Sequence, residues 1–468
     1  MNTSSAPSHD VIRVLRNAVQ GRVIEPGDGD YDPARAIFYG GMDRRPAAIA
    51  RVAGADDVAR VVKIARDSGV ELAVRGGGHS SAGHGVCEGG IVLDLRDMRS
   101  LAIDVERRVA WAETGLTTGE YTAAAGTSRL ATGFGDAPSV GIGGITLGGG
   151  VGFLARKHGL TVDDLLAAEI VTADARILRV DAEHHSDLFW AIRGGGGNFG
   201  VATRLRFRLH ELPAIYGGTL ILPVTPDVIE GFVAAADDAP DELTTIANVM
   251  RAPPLPFLPE ELHGRLLVMG MFAFAGPPSD GERAVAPFRA LAEPIVDGLR
   301  PMTYAELFPA EEADFHPIFK ARTSYVDSFD RAAAEAIVEH LTAAPAPIAV
   351  TQLRVLGGAV ARVEADATAY AHRDRRMMVN VAAGTLDPAA VDGLGEWVDG
   401  LAGELADGRS GAYVNFLSDE GPERVREAYP GSTWDRLADI KARYDPTNLF
   451  RLNHNVPPAD RPEEAAAG

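Results

Sequence analysis

The chain has 468 residues, of which 46% are hydrophobic and 24% charged, a composition typical of a globular protein with a large core. Its 65 acidic and 45 basic residues give a formal charge of −20, which argues against nucleic acid and anionic membrane surfaces as partners. Because Cys87 is the single cysteine, no intramolecular disulfide can form and no cysteine-based metal site is expected; we predict no metal ion.

The first part of the chain alternates short apolar runs with glycine-rich loops. Residues 1–20 lack the long apolar core of a signal peptide and no run is long enough to cross a membrane, so we expect a cytoplasmic protein. Thr117 and Glu120 form a capping-box pattern that predicts the start of a helix. Periodicity predicts further elements at residues 45–52 (strand), 56–69 (helix), 165–172 with 177–180 (hairpin), 187–193 (helix) and 201–209 (strand).

Three glycine clusters separate these elements, at residues 75–80 (RGGGHS), 135–150 and 194–200. Glycine lets backbone N–H groups converge on one point, which makes a site for a phosphate or another anion. A dinucleotide fold of the Rossmann type would place a helix directly after the first cluster. Here a loop and then an apolar run at residues 91–95 follow, so the pattern predicts an anion site outside a Rossmann fold.

Beyond residue 212 the glycine clusters give way to longer strands and amphipathic helices. This order predicts an antiparallel sheet with helices on one face and its other face available to a ligand. The predicted strands are residues 219–222, 243–250, 265–274, 349–355 and 377–382, and the predicted helices are residues 226–236, 282–291, 330–341, 389–405 and 434–444.

Three motifs together carry a family resemblance: RGGGHS, GGIVLDL at residues 89–95, and YDPTNLFRLNHN at residues 444–455. They resemble the berberine-bridge-enzyme-like flavin oxidases of the vanillyl-alcohol-oxidase superfamily. The resemblance is strongest to the bacterial branch that contains 6-hydroxy-D-nicotine oxidase and the enterocin favorskiiase. It implies an α+β fold with a two-lobed FAD-binding domain (residues 1–212), an antiparallel-sheet substrate domain backed by helices (213–410) and a C-terminal segment (411–468) that returns to the FAD-binding domain.

The resemblance also implies how FAD is held. In the family the histidine at the place of His79 bonds covalently to the 8α-methyl group of the flavin. Where some relatives add a second bond from a cysteine, this chain has Ala137, so a single attachment is expected. The other positions assigned to FAD are Arg75, Gly76, Gly77, Gly78, Ser80, Gly83, His84, Leu95, Val140, Gly141, Gly143, Gly144, Gly148, Gly149, Gly150, Gly152, Glu169, Val171, Gly200, Val201, Asn415, Asn453 and Asn455.

The implied chemistry is oxidation of a small organic molecule, with hydride transfer to flavin N5 and reoxidation by molecular oxygen to give hydrogen peroxide. Val140 stands where relatives control oxygen access. Tyr413 and Asn415 are candidate catalytic residues, and a strand over residues 411–416 would place both on one face. Many relatives have a catalytic tyrosine where this chain has Phe416, which cannot exchange a proton.

From the sequence alone, several interpretations remain open. Arg354 is either a holder of a substrate carboxylate or enolate, or a solvated strand charge, and His316 and Tyr325 are interpreted as structural. The alternatives to an oxidase are a flavin-dependent oxygenase of antibiotic or polyketide tailoring, and a flavin-containing drug-binding resistance protein. The expected partners are a small-molecule substrate and molecular oxygen, with a homodimer as a further possibility.

Overall fold

A computed structural model describes residues 9–254, 258–308 and 315–460. Residues 1–8 of the predicted FAD-binding domain and residues 461–468 of the predicted C-terminal segment lie outside the described residues. The strands up to residue 211 are β1 (Arg22–Ile24), β2 (Ala48–Arg51), β3 (Leu72–Arg75), β4 (Ile91–Asp94), β5 (Leu101–Asp104), β6 (Val109–Glu113), β7 (Leu130–Ala131), β8 (Leu165–Val171), β9 (Ile177–Asp181), β10 (Val201–Arg208) and β11 (His210–Glu211). The helices of this part are α1 (His9–Ala18), α2 (Tyr31–Arg35), α3 (Ala55–Ser68), α4 (Thr118–Gly126), α5 (Ile142–Gly148), α6 (Ala155–His158) and α7 (Ser186–Ala191).

The later strands are β12 (Ile215–Pro223), β13 (Leu243–Arg251), β14 (Leu266–Phe274), β15 (Val296–Asp297), β16 (Arg300–Met302), β17 (Ile318–Val326), β18 (Ile348–Val355) and β19 (Met377–Thr385). The later helices are α8 (Pro226–Asp237), α9 (Pro278–Arg289), α10 (Arg331–Thr342), α11 (Gly358–Arg362), α12 (Leu394–Glu404), α13 (Pro422–Ala428) and α14 (Ser432–Tyr444). Short 3₁₀ turns lie at Thr161–Asp163, Gly196–Phe199, Glu260–Leu262, Tyr304–Leu307, Pro388–Ala390 and Val414–Phe416.

Two small sheets carry the glycine clusters. In the first, of order β1-β2-β4-β3, β4 pairs in parallel with both β2 and β3. The RGGGHS loop leaves the end of β3 and the chain re-enters the sheet at β4, so the predicted order of strand, helix, strand, loop and strand is confirmed. The second sheet has the order β5-β6-β10-β8-β9 and contains the predicted β8–β9 hairpin. The capping box of Thr117 and Glu120 at the start of α4 is also confirmed.

The third sheet has eight strands, and the predicted arrangement of helices on one face of it is confirmed. Its main path is β15-β12-β14-β13-β18-β19-β17, with β16 paired to β12. Apolar side chains of alternate strand residues, such as Val249 and Leu353, pack with α8, α9, α10 and α12 in one core. The intervening residues point to the opposite face, where Asn248, Gln352 and Asn380 lie side by side in register.

Strand β17 and helix α5 differ from the sequence-based expectation. Strand β17 is not among the predicted strands, because Lys320 and Arg322 interrupt its apolar residues; such charges are common on edge strands. The second glycine cluster contains α5, although three of its seven residues are glycines with low helix propensity. Burial of Ile142 and Leu147 in the core of the second sheet compensates for that low propensity.

The C-terminal segment packs back against the second sheet. Val414, Leu437 and Val456 share a core with Tyr121 and Phe207 of the first part of the chain. This return places the residues around Tyr413 between the glycine clusters and the polar face of the third sheet. Within the described ranges, no helix combines the length and the apolar character that crossing a membrane requires.

Candidate active site

The first and second glycine clusters meet at Gly77 and Gly141. A Cβ atom at Gly77 would lie 2.2 Å from the Gly141 nitrogen, and one at Gly141 would lie 2.3 Å from the Gly77 nitrogen. Because real Cβ atoms do not approach so closely, only glycine fits at either position. The contact fixes one cluster against the other and brings His79 next to Ser139.

One cavity of about 430 Å³ runs from these clusters to the C-terminal segment. Most of the predicted site residues line it, namely Arg75, Gly76, Gly77, Gly78, His79, Ser80, His84, Leu95, Ala137, Val140, Gly141, Gly143, Gly144, Gly200, Val201, Tyr413, Asn415 and Asn453. The structure does not place the remaining candidates in its lining; these are Gly83, Gly148, Gly149, Gly150, Gly152, Glu169, Val171 and Asn455.

Glu169 and Val171 lie away from the cavity for a simple structural reason. Both are on β8, where Thr203 of the neighbouring strand donates a hydrogen bond to Glu169 Oε1 over 2.7 Å. Glu169 borders a separate surface depression beside Asp56 and Asp57, and Val171 is buried in the core under α3. Their predicted contact with FAD stays a prediction that this geometry does not support.

His79 is held as a neutral imidazole at the mouth of the first cluster. Its Nε2 atom lies 2.7 Å from Ser139 Oγ, and its ring stacks on Phe38 with 4.2 Å between centroids. Burial lowers the pKa of His79 to about 4, so the ring carries no charge near neutral pH. A neutral imidazole has a free nitrogen lone pair, which makes it a nucleophile.

Arg75 lines the cavity but does not supply a free cation to it. Its guanidinium donates to Asp94 over 2.9 Å, and both side chains are buried. The same Asp94 carboxylate also accepts hydrogen bonds from Arg96. An anionic group in this cavity would therefore depend on backbone N–H groups of the glycine clusters, as the sequence predicts.

The strand predicted over residues 411–416 is wrong. Val414–Phe416 forms a 3₁₀ turn, closed by a hydrogen bond of 2.9 Å from the Phe416 nitrogen to the Tyr413 oxygen. A strand would have placed the two polar side chains on one face, and the turn also keeps them together, because Asn415 Nδ2 donates to the Tyr413 hydroxyl over 2.9 Å. Among the described residues, no strand forms a hydrogen-bonded ladder with this segment.

The Tyr413 hydroxyl is an acceptor of three N–H groups. Besides Asn415, the backbone nitrogens of Gly150 and Val151 donate to it over 2.8 and 3.3 Å. These bonds favour the phenolate, but burial is the larger effect and raises the pKa of Tyr413 above its ordinary value. Tyr413 is therefore a neutral phenol near pH 7, and its predicted catalytic role stays a prediction.

Arg354 is buried, so its interpretation as a solvated strand charge is wrong. Its side chain forms an ion pair with Asp136, and its Nε atom donates to Gln352 over 2.7 Å. Gln352 in turn donates to Asn248 over 2.8 Å, which links the pair to the polar face of the third sheet. The guanidinium carbon lies 5.3 Å from the centre of the Phe416 ring.

Asp136 is the one acidic side chain among the described residues that line the cavity. Its Oδ2 atom faces Arg354, while Oδ1 accepts no hydrogen bond from the described part of the chain. Sequence reasoning missed this residue because a single aspartate in a glycine cluster looks like a turn residue. Only its pairing with Arg354, 218 residues away, distinguishes it.

The C-terminal loop is tied to the third glycine cluster by buried polar groups. Lys441 pairs with Asp445 and donates to the Asn198 carbonyl over 2.6 Å. The Asn198 side chain then binds both His454 and Val456 through their main-chain atoms. Of the polar residues in the YDPTNLFRLNHN segment, this network accounts for Asp445. The Oδ1 atoms of Asn448, Asn453 and Asn455 are buried and have no hydrogen-bond partner among the described residues.

Comparison with known proteins identifies the family. A family model described as an FAD binding domain matches residues 46–181, and one described as berberine and berberine like matches residues 412–457. (R)-6-hydroxynicotine oxidase of Paenarthrobacter nicotinovorans is 32% identical over 94% of this chain and 97% of its own length. The chain belongs to the berberine-bridge-enzyme-like FAD-linked oxidoreductases.

Two further comparisons agree with this membership. Glucooligosaccharide oxidase of Sarocladium strictum is 30% identical over 87% of each chain. The crystal structure of 6-hydroxy-D-nicotine oxidase from Arthrobacter nicotinovorans superposes with a TM-score of 0.82 at 29% identity, covering 94% of this chain and 98% of that one. The predicted α+β fold of the vanillyl-alcohol-oxidase type, the FAD cofactor and an oxidase function are thereby confirmed.

The residues of the cavity fit FAD, the cofactor of the berberine-bridge-enzyme-like family. The apposed backbones at Gly77 and Gly141 provide close approach without a side chain in the way. At the other end, Asn453 lines the cavity, and its buried Oδ1 atom has no hydrogen-bond partner among the described residues. Buried acceptors are rarely left unpaired, so a donor on a bound cofactor accounts for this atom.

Proposed function

We propose that this protein is an oxidase that holds FAD through a single covalent bond to His79 and oxidises a small amine or alcohol, with dioxygen as the electron acceptor and hydrogen peroxide as a product. One observation carries the proposal: a single cavity joins the glycine clusters and His79 to an acidic and aromatic end at Asp136 and Phe416. FAD, when bound, supplies the two-electron acceptor of the reaction and passes the electrons to dioxygen.

We assign the binding of FAD to the glycine clusters and the C-terminal loop. Gly77, Gly141 and Gly200 bring backbone close to the cavity, and Asn453 offers an unpaired acceptor. Ala137 has no sulfur to form a second bond, which supports a single attachment at His79. Val140 lies in the same lining and is assigned to the side where oxygen approaches.

We assign the substrate to the end of the cavity lined by Tyr39, Asp136 and Phe416. Since Phe416 cannot take a proton and Tyr413 is a neutral phenol, Asp136 Oδ1 is the available acceptor for a substrate N–H or O–H group. Arg354 holds the Asp136 side chain in place through their ion pair. Tyr413 and Asn415 act as positioning residues that fix the turn above the cavity.

The substrate experiment uses anaerobic mixing of the purified protein with a panel of compounds. The panel contains (R)-6-hydroxynicotine and glucooligosaccharides, which the relatives' names indicate, together with simple amines, alcohols and phenolic polyketides. We expect one amine or alcohol to bleach the flavin absorbance, and admitted oxygen to restore it with one hydrogen peroxide per substrate.

Two outcomes would contradict the oxidase. Incorporation of labelled dioxygen into the product would identify an oxygenase. Tight binding of a ligand that leaves the flavin oxidised would identify a sequestering protein. Covalent attachment is tested separately: acid-precipitated wild-type protein should keep its flavin, whereas His79→Ala protein should release it, and equal release from both would refute the bond.

A further inference from the structure

We propose that Ser139 is a positioning residue for the attachment of FAD: its hydroxyl holds the His79 ring by the Nε2 atom and leaves Nδ1 as the attacking nitrogen. The inference rests on the covalent bond proposed above and assigns a new role to a residue that neither the motif nor the family resemblance singles out. Three sets of contacts carry it, concerning the ring, the hydroxyl and the backbone that holds the hydroxyl.

The His79 ring is held on one face and at one nitrogen. Phe38 stacks on it at 4.2 Å with an interplanar angle of 22°, and Ser139 Oγ lies 2.7 Å from Nε2. Phe38 is itself fixed by a backbone hydrogen bond of 3.1 Å to the Gly78 carbonyl. The Nδ1 atom has no hydrogen-bond partner among the described residues, so it is the nitrogen free to react.

The hydroxyl of Ser139 can pair with Nε2 in either tautomer of the ring, and in one of the two tautomers Nδ1 is nucleophilic. A neutral imidazole carries one N–H group, and burial keeps the His79 ring neutral. When Nε2–H donates to Ser139 Oγ, the lone pair remains on Nδ1, which is the nucleophilic arrangement. After Nδ1 has reacted and Nε2 has lost its proton, Nε2 becomes an acceptor, and the same serine hydroxyl can rotate and donate to it.

The attachment step balances with dioxygen as the oxidant. A C–H bond of the flavin 8α-methyl group is replaced by a C–N bond to His79. The methyl group and the imidazole each give up one hydrogen, which amounts to two protons and two electrons. Dioxygen, the electron acceptor of the proposed function, takes these up as hydrogen peroxide.

Hydrogen bonds hold the backbone on both sides of Ser139, and this fixes the position of its side chain. The Pro138 and Val140 carbonyls accept hydrogen bonds of 2.9 and 2.8 Å from the backbone at the start of α4. The contact of Gly77 with the second cluster holds the same segment from the other side. A hydroxyl fixed in this way can select one ring orientation of His79.

The test compares wild-type protein with Ser139→Ala, Ser139→Thr, His79→Ala and a remote control, Ser68→Ala, whose hydroxyl lies at the end of α3 outside the cavity. For each protein, total bound flavin is measured before acid precipitation and retained flavin after it, over a time course of incubation with added FAD. We expect Ser139→Ala to bind FAD normally but to attach it about tenfold more slowly, as loss of one hydrogen bond implies. Ser139→Thr, which keeps a hydroxyl, and Ser68→Ala should attach FAD at rates close to the wild type.

Three other outcomes would each overturn the inference, and the flavin measurements distinguish them from one another. Attachment by Ser139→Ala at the wild-type rate means that the hydroxyl is not needed. Loss of total bound flavin in Ser139→Ala means that the serine shapes the binding site instead of the reaction. If wild-type protein releases its flavin in acid as His79→Ala does, the covalent bond of the proposed function is absent and the role of Ser139 falls with it.

Discussion

The Arg354 guanidinium lies over the Phe416 ring, with 5.3 Å between the guanidinium carbon and the ring centre. In many relatives a tyrosine stands where this chain has Phe416. Here the cation faces a ring without a hydroxyl, and its charge is balanced by Asp136 instead. In the proposed function, the acceptor for a substrate proton is Asp136, which is a different residue from the aromatic Phe416 of the turn. Substitution of each residue therefore tests its role at the substrate end of the cavity.

Phe416→Tyr should introduce a phenol beside the Arg354 cation, which would lower the pKa of that phenol. We expect flavin reduction to become faster as pH rises, by about tenfold for a substrate that reduces the wild-type flavin. Stopped-flow reduction under anaerobic conditions, measured across the alkaline range, checks this. Identical pH profiles for variant and wild type would mean that the hydroxyl does not reach the substrate.

Asp136→Asn should leave the buried Arg354 without its counter-ion. The Asp136 side chain is partly exposed to the cavity, so the ion pair is not fully desolvated. We therefore expect a loss of about 2 kcal/mol in the free energy of unfolding. The double variant Asp136→Asn/Arg354→Met removes both charges and should recover part of this loss. Urea unfolding of the wild type, Asp136→Asn, Arg354→Met and the double variant measures the coupling energy; a value near zero would show that the pair does not interact.

Gly148→Ala should displace Asn415. A Cβ atom at Gly148 would lie 2.0 Å from Asn415 Oδ1, and Asn415 could then no longer donate to Tyr413. We expect a loss of about 2 kcal/mol in the free energy of unfolding, the usual cost of overpacking. Gly126→Ala, at the end of α4 with nothing within 4 Å of the added atom, is the matched control and should be neutral. Equal stability of the two variants would contradict the close contact.

His372 should make the protein less stable in mild acid. Burial lowers its pKa to about 4 from an ordinary 6.5, so the unfolded chain binds a proton that the folded chain excludes. The stabilisation is complete above about pH 6.5 and is lost as pH falls towards 4, by about 2 kcal/mol at about pH 5. Urea unfolding at about pH 7.5 and 5 measures this loss, and His372→Gln should reduce it. An unchanged pH dependence in the variant would assign the effect to other groups.

Several features were readable from the residues because their causes are local. The helix at residues 56–69 follows from apolar spacing, and the capping box of Thr117 and Glu120 follows from side chains three residues apart. The layering of the third sheet follows from apolar residues two apart on a strand, which share a face. The cytoplasmic location and a homodimer stay predictions.

The sequence by itself determined the two-part architecture, the three glycine clusters and, through its motifs, the family and the cofactor. Tertiary structure alone decided the pairing of Asp136 with Arg354, the contact of Ser139 with His79, the turn at residues 414–416 and the position of Glu169 outside the cavity. The physical reason is sequence separation: helix periodicity and strand alternation act between near neighbours, whereas the Ser139–His79 hydrogen bond and the Asp136–Arg354 ion pair join residues 60 and 218 positions apart. Such partners leave no mark on local composition, and only the tertiary fold brings them together.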